Sequence, residues 1–150
     1  MKRTKTLTHR FVEYIPRDIQ EGTIYISMAF STAIHKCCCG CGQEVVTPLG
    51  RTDWQLTFDG ESISLDPSIG NWSFDCKSHY WIRHNKVIWA LHWSQKKIDA
   101  SRAYDKRLKD MYFKSIKERQ DKSDRRIKLA DRSAERKPSR HLIKRSNGLI

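Results

Sequence analysis

Apolar and polar residues alternate along the chain from Gly22 to about Leu91, the signature of half-buried strands. Thr23 to Phe30 puts Ile24, Ile26, Met28 and Phe30 on one face of a first strand. Gln43 to Thr47 reads as a second, ended by Pro48. Trp54, Leu56 and Phe58 alternate up to Asp59-Gly60, a tight-hairpin signal, and Ile63 and Leu65 resume the pattern beyond it. A loop with Pro67 and Gly70 follows, and His79–Arg83 and Val87–Ala90 read as another hairpin around Asn85-Lys86. Short strands at this spacing predict a small antiparallel β domain over residues 22–94, preceded by an N-terminal extension, 1–21.

The pattern changes near Trp93. Glycine is absent between Gly70 and Gly148, and proline between Pro67 and Pro138. Within that window Ile98, Tyr104, Leu108, Met111, Tyr112 and Ile116 recur at helical intervals. Opposite charges four apart, such as Asp105/Lys109 and Glu118/Lys122, line the other face. The spacing predicts a long charged helix over 95–137, stopped by Pro138, with its first apolar half docked on the β domain or on a partner. Residues 138–150 read as a flexible basic tail. The fold class is therefore α+β.

Charge sharpens this division. Residues 1–95 carry 10 Lys/Arg against 9 Asp/Glu, whereas residues 96–150 carry 19 against 8, so the net +12 belongs to the C-terminal third. Such a segment attracts polyanions, which makes nucleic acid a candidate partner alongside an acidic protein face. Arg125, Arg126, Lys128, Arg132, Arg136 and Lys137 are the residues expected to meet it. No stretch approaches the ~20 apolar residues that span a bilayer, and no apolar run follows the basic start, so a cytoplasmic protein without a membrane partner is expected.

All five cysteines lie in two short segments, His35-Lys36-Cys37-Cys38-Cys39-Gly40-Cys41-Gly42 and Cys76-Lys77-Ser78-His79. Thiolates and imidazoles suit the borderline-soft zinc ion, and glycines let the backbone turn tightly around paired ligands. Cys39, Cys41, Cys76 and His79 are the expected ligands of one structural zinc that closes the open end of the sheet, with Cys37 as a fifth candidate, bridging or replacing one of them. Iron suits the same ligand types. Cys38 or Cys37, left outside the shell and near His35, is the candidate nucleophile of an alternative cysteine-dependent acyl-transfer enzyme, with Cys38 the thiol to test. Neither a phosphate-binding glycine loop nor Gly-x-Ser-x-Gly is present, and no catalytic residue is assigned. Trp72, Tyr80, Trp81, Trp89 and Trp93 are expected to be mostly core, the alternative being a platform for unstacked bases.

The runs from His35 to Leu49 and from Asp66 to Ile82, with Trp54–Gly60 between them, resemble a bacterial family marked by His-x-Cys-x-Cys-Gly-Cys-Gly, Pro-Ser-Ile-Gly-Asn-Trp and Cys-x-Ser-His-Tyr. The likeness covers about residues 22–94. Genes of that family sit beside genes for a ubiquitin-like protein, an activating enzyme and a conjugating enzyme, in operons some of which are linked to phage defence. The resemblance implies a zinc-binding accessory or adaptor protein of a ubiquitin-like conjugation system, ligase-like or substrate-selecting, with those proteins as partners. It supports Cys37, Cys39, Cys41, Cys76 and His79, and places Cys38 at a variable position. A nucleic-acid-binding zinc protein is the first alternative reading.

Overall fold

The computed structural model describes residues 2–135. The chain divides into two compact units, one ending at Leu108 and the other starting at Lys109. The first is α+β, as the patterning predicts, but its strands form two sheets. One sheet has the order β1 (Thr8–Phe11), β2 (Thr23–Ser27), β3 (Thr32–Lys36) and β4 (Glu44–Pro48). The other runs β5 (Gln55–Phe58), β6 (Ile63–Gly70), β7 (His79–Arg83) and β8 (Lys86–Trp89). All neighbours are antiparallel except β1 and β2, which are parallel.

The inner faces share one core. Ile24, Ile26, Ala33 and Val45 come from the first sheet, and Ile63, Leu65, Ile69, Tyr80, Ile82 and Val87 from the second. The alternation behind this is cleanest in β4, where only Val45 and Thr47 are buried. Both later hairpins form where the sequence puts them. In the second, the turn is His84-Asn85, one residue before the expected pair. Both residues have positive φ, 46° and 62°, which is the two-residue turn that matches strand twist.

The first strand stops at Ser27 rather than running on to Phe30. Residues 28–31 turn, Met28 and Phe30 are exposed, and the chain returns as β3, which the alternation did not reveal. The segment read as a loop around Pro67 and Gly70 is the far half of β6, where the register with β7 shifts between Leu65 and Ile69. A strand that bends at such an irregularity loses its period-2 signal.

The largest departure is at the N-terminus. Instead of a separate extension, residues 4–12 lace the two sheets together. Thr4 N–H donates to Cys38 C=O (2.8 Å), Val87 N–H to Lys5 C=O (2.9 Å), Leu7 N–H to Asn85 C=O (2.8 Å) and Thr8 N–H to Gly22 C=O (2.8 Å). Leu7 is only 1% exposed.

The helix α1 spans Gln95–Glu135. Ser94 caps it, accepting the Ile98 N–H on its carbonyl (3.1 Å) and the Lys97 N–H on Oγ (3.4 Å). Of the expected docking stripe only Ile98 is buried, while Tyr104, Leu108 and Met111 are exposed. In the second unit Arg125, Lys128 and Arg132 share one face at i, i+3 and i+7, and with Arg126 they are exposed. Arg136, Lys137, the Pro138 stop and the expected tail lie outside the described residues.

Leu7→Ala should destabilise the chain by about 2–5 kcal/mol, the range for truncating a buried leucine. Urea denaturation followed by tryptophan fluorescence reads this; an unchanged midpoint would show that residues 4–12 are dispensable.

Candidate metal centre and Ser–His pair

The two cysteine segments are turns of different sheets. Residues 37–43 connect β3 to β4, closed by the Cys37 N–H on Gln43 C=O (2.8 Å) and the Gly40 N–H on Cys37 C=O (3.0 Å). Gly40 and Gly42 have φ of 86° and 79°, a conformation that suits residues without a Cβ. Residues 71–78 connect β6 to β7, closed by the Asn71 N–H on Ser78 C=O (2.8 Å). The sheets bring these turns together, and the Sγ atoms of Cys37, Cys39, Cys41 and Cys76 all lie within 4.8 Å of one another.

Four sulfurs fit one tetrahedral metal. Metal–sulfur bonds of about 2.3 Å require sulfurs about 3.8 Å apart. The separations are 3.4 Å for Cys37–Cys39, 3.9 Å for Cys37–Cys76 and 3.8 Å for Cys41–Cys76. Hydrogen bonding also prepares Cys76: burial works to raise its pKa, but bonds from Ser78, Cys39 and Cys37 together bring it down to about 7. Burial raises the pKa of Cys37 and of Cys39, which a metal cation would reverse.

His79, expected among the ligands, stands outside this group, and Cys37 is its fourth sulfur. Cys38 is not part of this group. It is fully buried in the shared core, and burial pushes its thiol up to about 12, far from the character of a nucleophile.

His79 is engaged elsewhere. Its Nε2 lies 2.8 Å from Oγ of Ser68, which is half-buried on β6. The ring packs against Trp72 (centroids 4.9 Å apart), Trp81 (5.5 Å) and, edge-on, Trp93 (4.6 Å). These tryptophans are half-buried, so of the aromatic group expected in the core only Tyr80 is wholly enclosed. Nδ1 is buried and has no hydrogen-bond partner among the described residues, so aromatic packing rather than a carboxylate fixes the ring. Burial, and secondarily the charge of Lys97, hold the His79 pKa below its ordinary 6.5. The imidazole is therefore neutral at pH 7 and can accept a proton. A cleft of about 410 Å³ is lined by His79, Ser78, Cys76, Lys77, Trp72 and Trp93. A Cβ at Gly70 would overlap the Trp72 ring, so the packing beside His79 requires glycine there.

Among known proteins, residues 11–90 match a family model described as bacterial ubiquitination-like system serine protease (BubE). The match covers more than half of the 150-residue chain. The chain belongs to the BubE family. This places it with a bacterial ubiquitination-like system, the context its motifs suggest. No curated protein and no solved structure matches it.

The BubE match includes both members of the Ser–His pair, which residue-by-residue reading of the sequence did not assign. Ser68 and His79 do stand in the Pro-Ser-Ile-Gly-Asn-Trp and Cys-x-Ser-His-Tyr runs that carry the family resemblance. Gly-x-Ser-x-Gly marks a serine nucleophile on a strand-to-helix turn, whereas Ser68 sits inside a strand.

Elemental analysis should find one metal ion per chain, lost in Cys37→Ser and Cys76→Ser and retained in His79→Ala. Loss in His79→Ala with retention in Cys37→Ser would return the imidazole to the coordination shell.

Proposed function

We propose that this chain is a serine peptidase of a bacterial ubiquitination-like system, with Ser68 as nucleophile and His79 as general base. The 2.8 Å approach of Ser68 Oγ to His79 Nε2, whose ring lines a cleft, in a member of the BubE family, carries this reading. Ser68 Oγ attacks the scissile carbonyl while Nε2 takes its proton. The protonated imidazole then delivers that proton to the leaving amine, and a water activated by the same nitrogen hydrolyses the ester. The reacting tautomer carries its proton on Nδ1, leaving the Nε2 lone pair facing the hydroxyl.

Zinc is the proposed metal, held by Cys37, Cys39, Cys41 and Cys76. With four thiolates it has no open position, and it supplies cross-linking rather than Lewis acidity. A ubiquitin-like protein, as substrate, and its activating or conjugating enzyme are the proposed partners.

The sequence alone favoured a zinc adaptor without catalysis, and the closed sulfur set is equally compatible with that role. The Ser–His contact, together with the family's description as a serine protease, favours the peptidase reading over the adaptor. A nucleic-acid partner for Arg125, Lys128 and Arg132 rests on charge alone.

A fluorophosphonate probe should modify Ser68, detected by mass spectrometry of its peptide. Ser68→Ala should abolish the adduct, and His79→Ala should slow it by about 10³-fold or more. A chain left unmodified, or modified at another serine in both the native and Ser68→Ala forms, would contradict the assignment.

The pH dependence follows from the base. Only neutral His79 accepts the proton, and its pKa is held below 6.5, so kcat/KM should fall on acidification with a midpoint below pH 6.5. Removing the charge in Lys97→Met should move that midpoint to higher pH. A midpoint above 6.5, or one that moves down, would exclude His79 as the base.

A further inference from the structure

We infer that Asn71 and Ser78 form a buried relay that positions the Ser68–His79 pair from the thiol cluster, an inference resting on the peptidase reading. Both residues are buried, at 7% and 5% exposure. Ser78 Oγ lies 3.0 Å from Cys37 Sγ and 3.5 Å from Cys76 Sγ. Asn71 Nδ2 donates to Ser78 Oγ (2.9 Å), to Tyr80 OH (3.3 Å) and, weakly, toward Cys37 Sγ (3.7 Å).

Metal loading would fix the direction of this chain of bonds. With a metal bound, Cys37 and Cys76 would both lack a proton, so the Ser78 hydroxyl would donate to Cys37, the nearer sulfur, and accept from Asn71. Hydrogen bonds to an ionised acceptor are the strong ones, and they hold Ser78 in one rotamer.

The backbone carries that constraint to the catalytic pair. Ser78 precedes His79 directly, and Asn71 follows Ser68 by three residues. The Asn71 N–H on Ser78 C=O closes the turn immediately beyond the Gly70–His79 strand pair. A relay that moves by a fraction of an ångström therefore moves Ser68 and His79 against each other. An error of about 1 Å between reacting groups is enough for a loss of about 10²-fold.

The test uses the full chain loaded with cobalt(II), comparing Ser78→Ala, Ser78→Thr and Asn71→Asp with the native protein. Three readouts are taken: the thiolate-to-cobalt charge-transfer band, the His79 imidazole NMR signals and the rate of Ser68 modification by a fluorophosphonate. Ser78→Ala should keep a four-thiolate spectrum but move the band to longer wavelength, because an unbonded thiolate gives up charge more readily. It should also shift the His79 signals and slow modification by about tenfold or more, while Ser78→Thr restores all three. Asn71→Asp, which puts an acceptor where Ser78 needs a donor, should shift the His79 signals in the same way. It is the decisive variant if Ser78→Ala fails to load cobalt. Unmoved His79 signals in a loaded variant would overturn the relay. A native chain that is not modified at Ser68, yet whose His79 signals respond to these substitutions, would remove the peptidase reading and leave the relay standing.

Discussion

The convergence of four thiols at the junction of two turns is the constraint on which the rest of the molecule depends. Neither sheet supplies the cluster alone: Cys37, Cys39 and Cys41 come from the β3–β4 turn and Cys76 from the β6–β7 turn. The shared core holds the sheets together by non-directional burial, which tolerates sliding. Tetrahedral sulfur coordination does not. Metal binding in small zinc sites is worth roughly 10 kcal/mol or more, comparable to the net stability of a small domain. The proposed zinc would place a cross-link of that strength beside the Gly70–His79 pair, on the two strands that carry Ser68 and His79.

A division of labour between sulfur and imidazole follows. The cluster is electrically demanding, and hydroxyl and amide donors from Ser78 and Asn71 surround its buried side. His79 lies three residues beyond Cys76 but in different surroundings, an aromatic enclosure that desolvates it and keeps it neutral. Burial therefore acts in opposite senses at neighbouring positions. It raises the pKa of isolated thiols, which a bound metal would override, and lowers the pKa of an imidazole, which keeps it free to accept a proton.

Much of this architecture was legible in the sequence, wherever short-range order and long-range packing agree. Asp59-Gly60 and the strands around it, the β7–β8 hairpin and the start of α1 at Gln95 each carry a local signal that tertiary structure leaves intact. Residues 4–12 were not legible, because a segment that pairs with several elements shows no single period. The thiol pairing was visible as a set of ligand types, but that Cys37 and not His79 lies in the sulfur cluster depends on where the β6–β7 turn points its side chains. The Ser68–His79 pair was hidden for the same reason. Eleven residues separate the two, and only the shifted register of β6 on β7 brings them together.

The measurement that tests this arrangement most directly is the zinc X-ray absorption spectrum of the purified chain. Four sulfurs at about 2.3 Å, with no lighter ligand, would show the two turns joined through Cys37, Cys39, Cys41 and Cys76 and would leave His79 free for Ser68. Three sulfurs with a nitrogen at about 2.0 Å would place an imidazole on the metal and contradict both the sulfur cross-link and the general base.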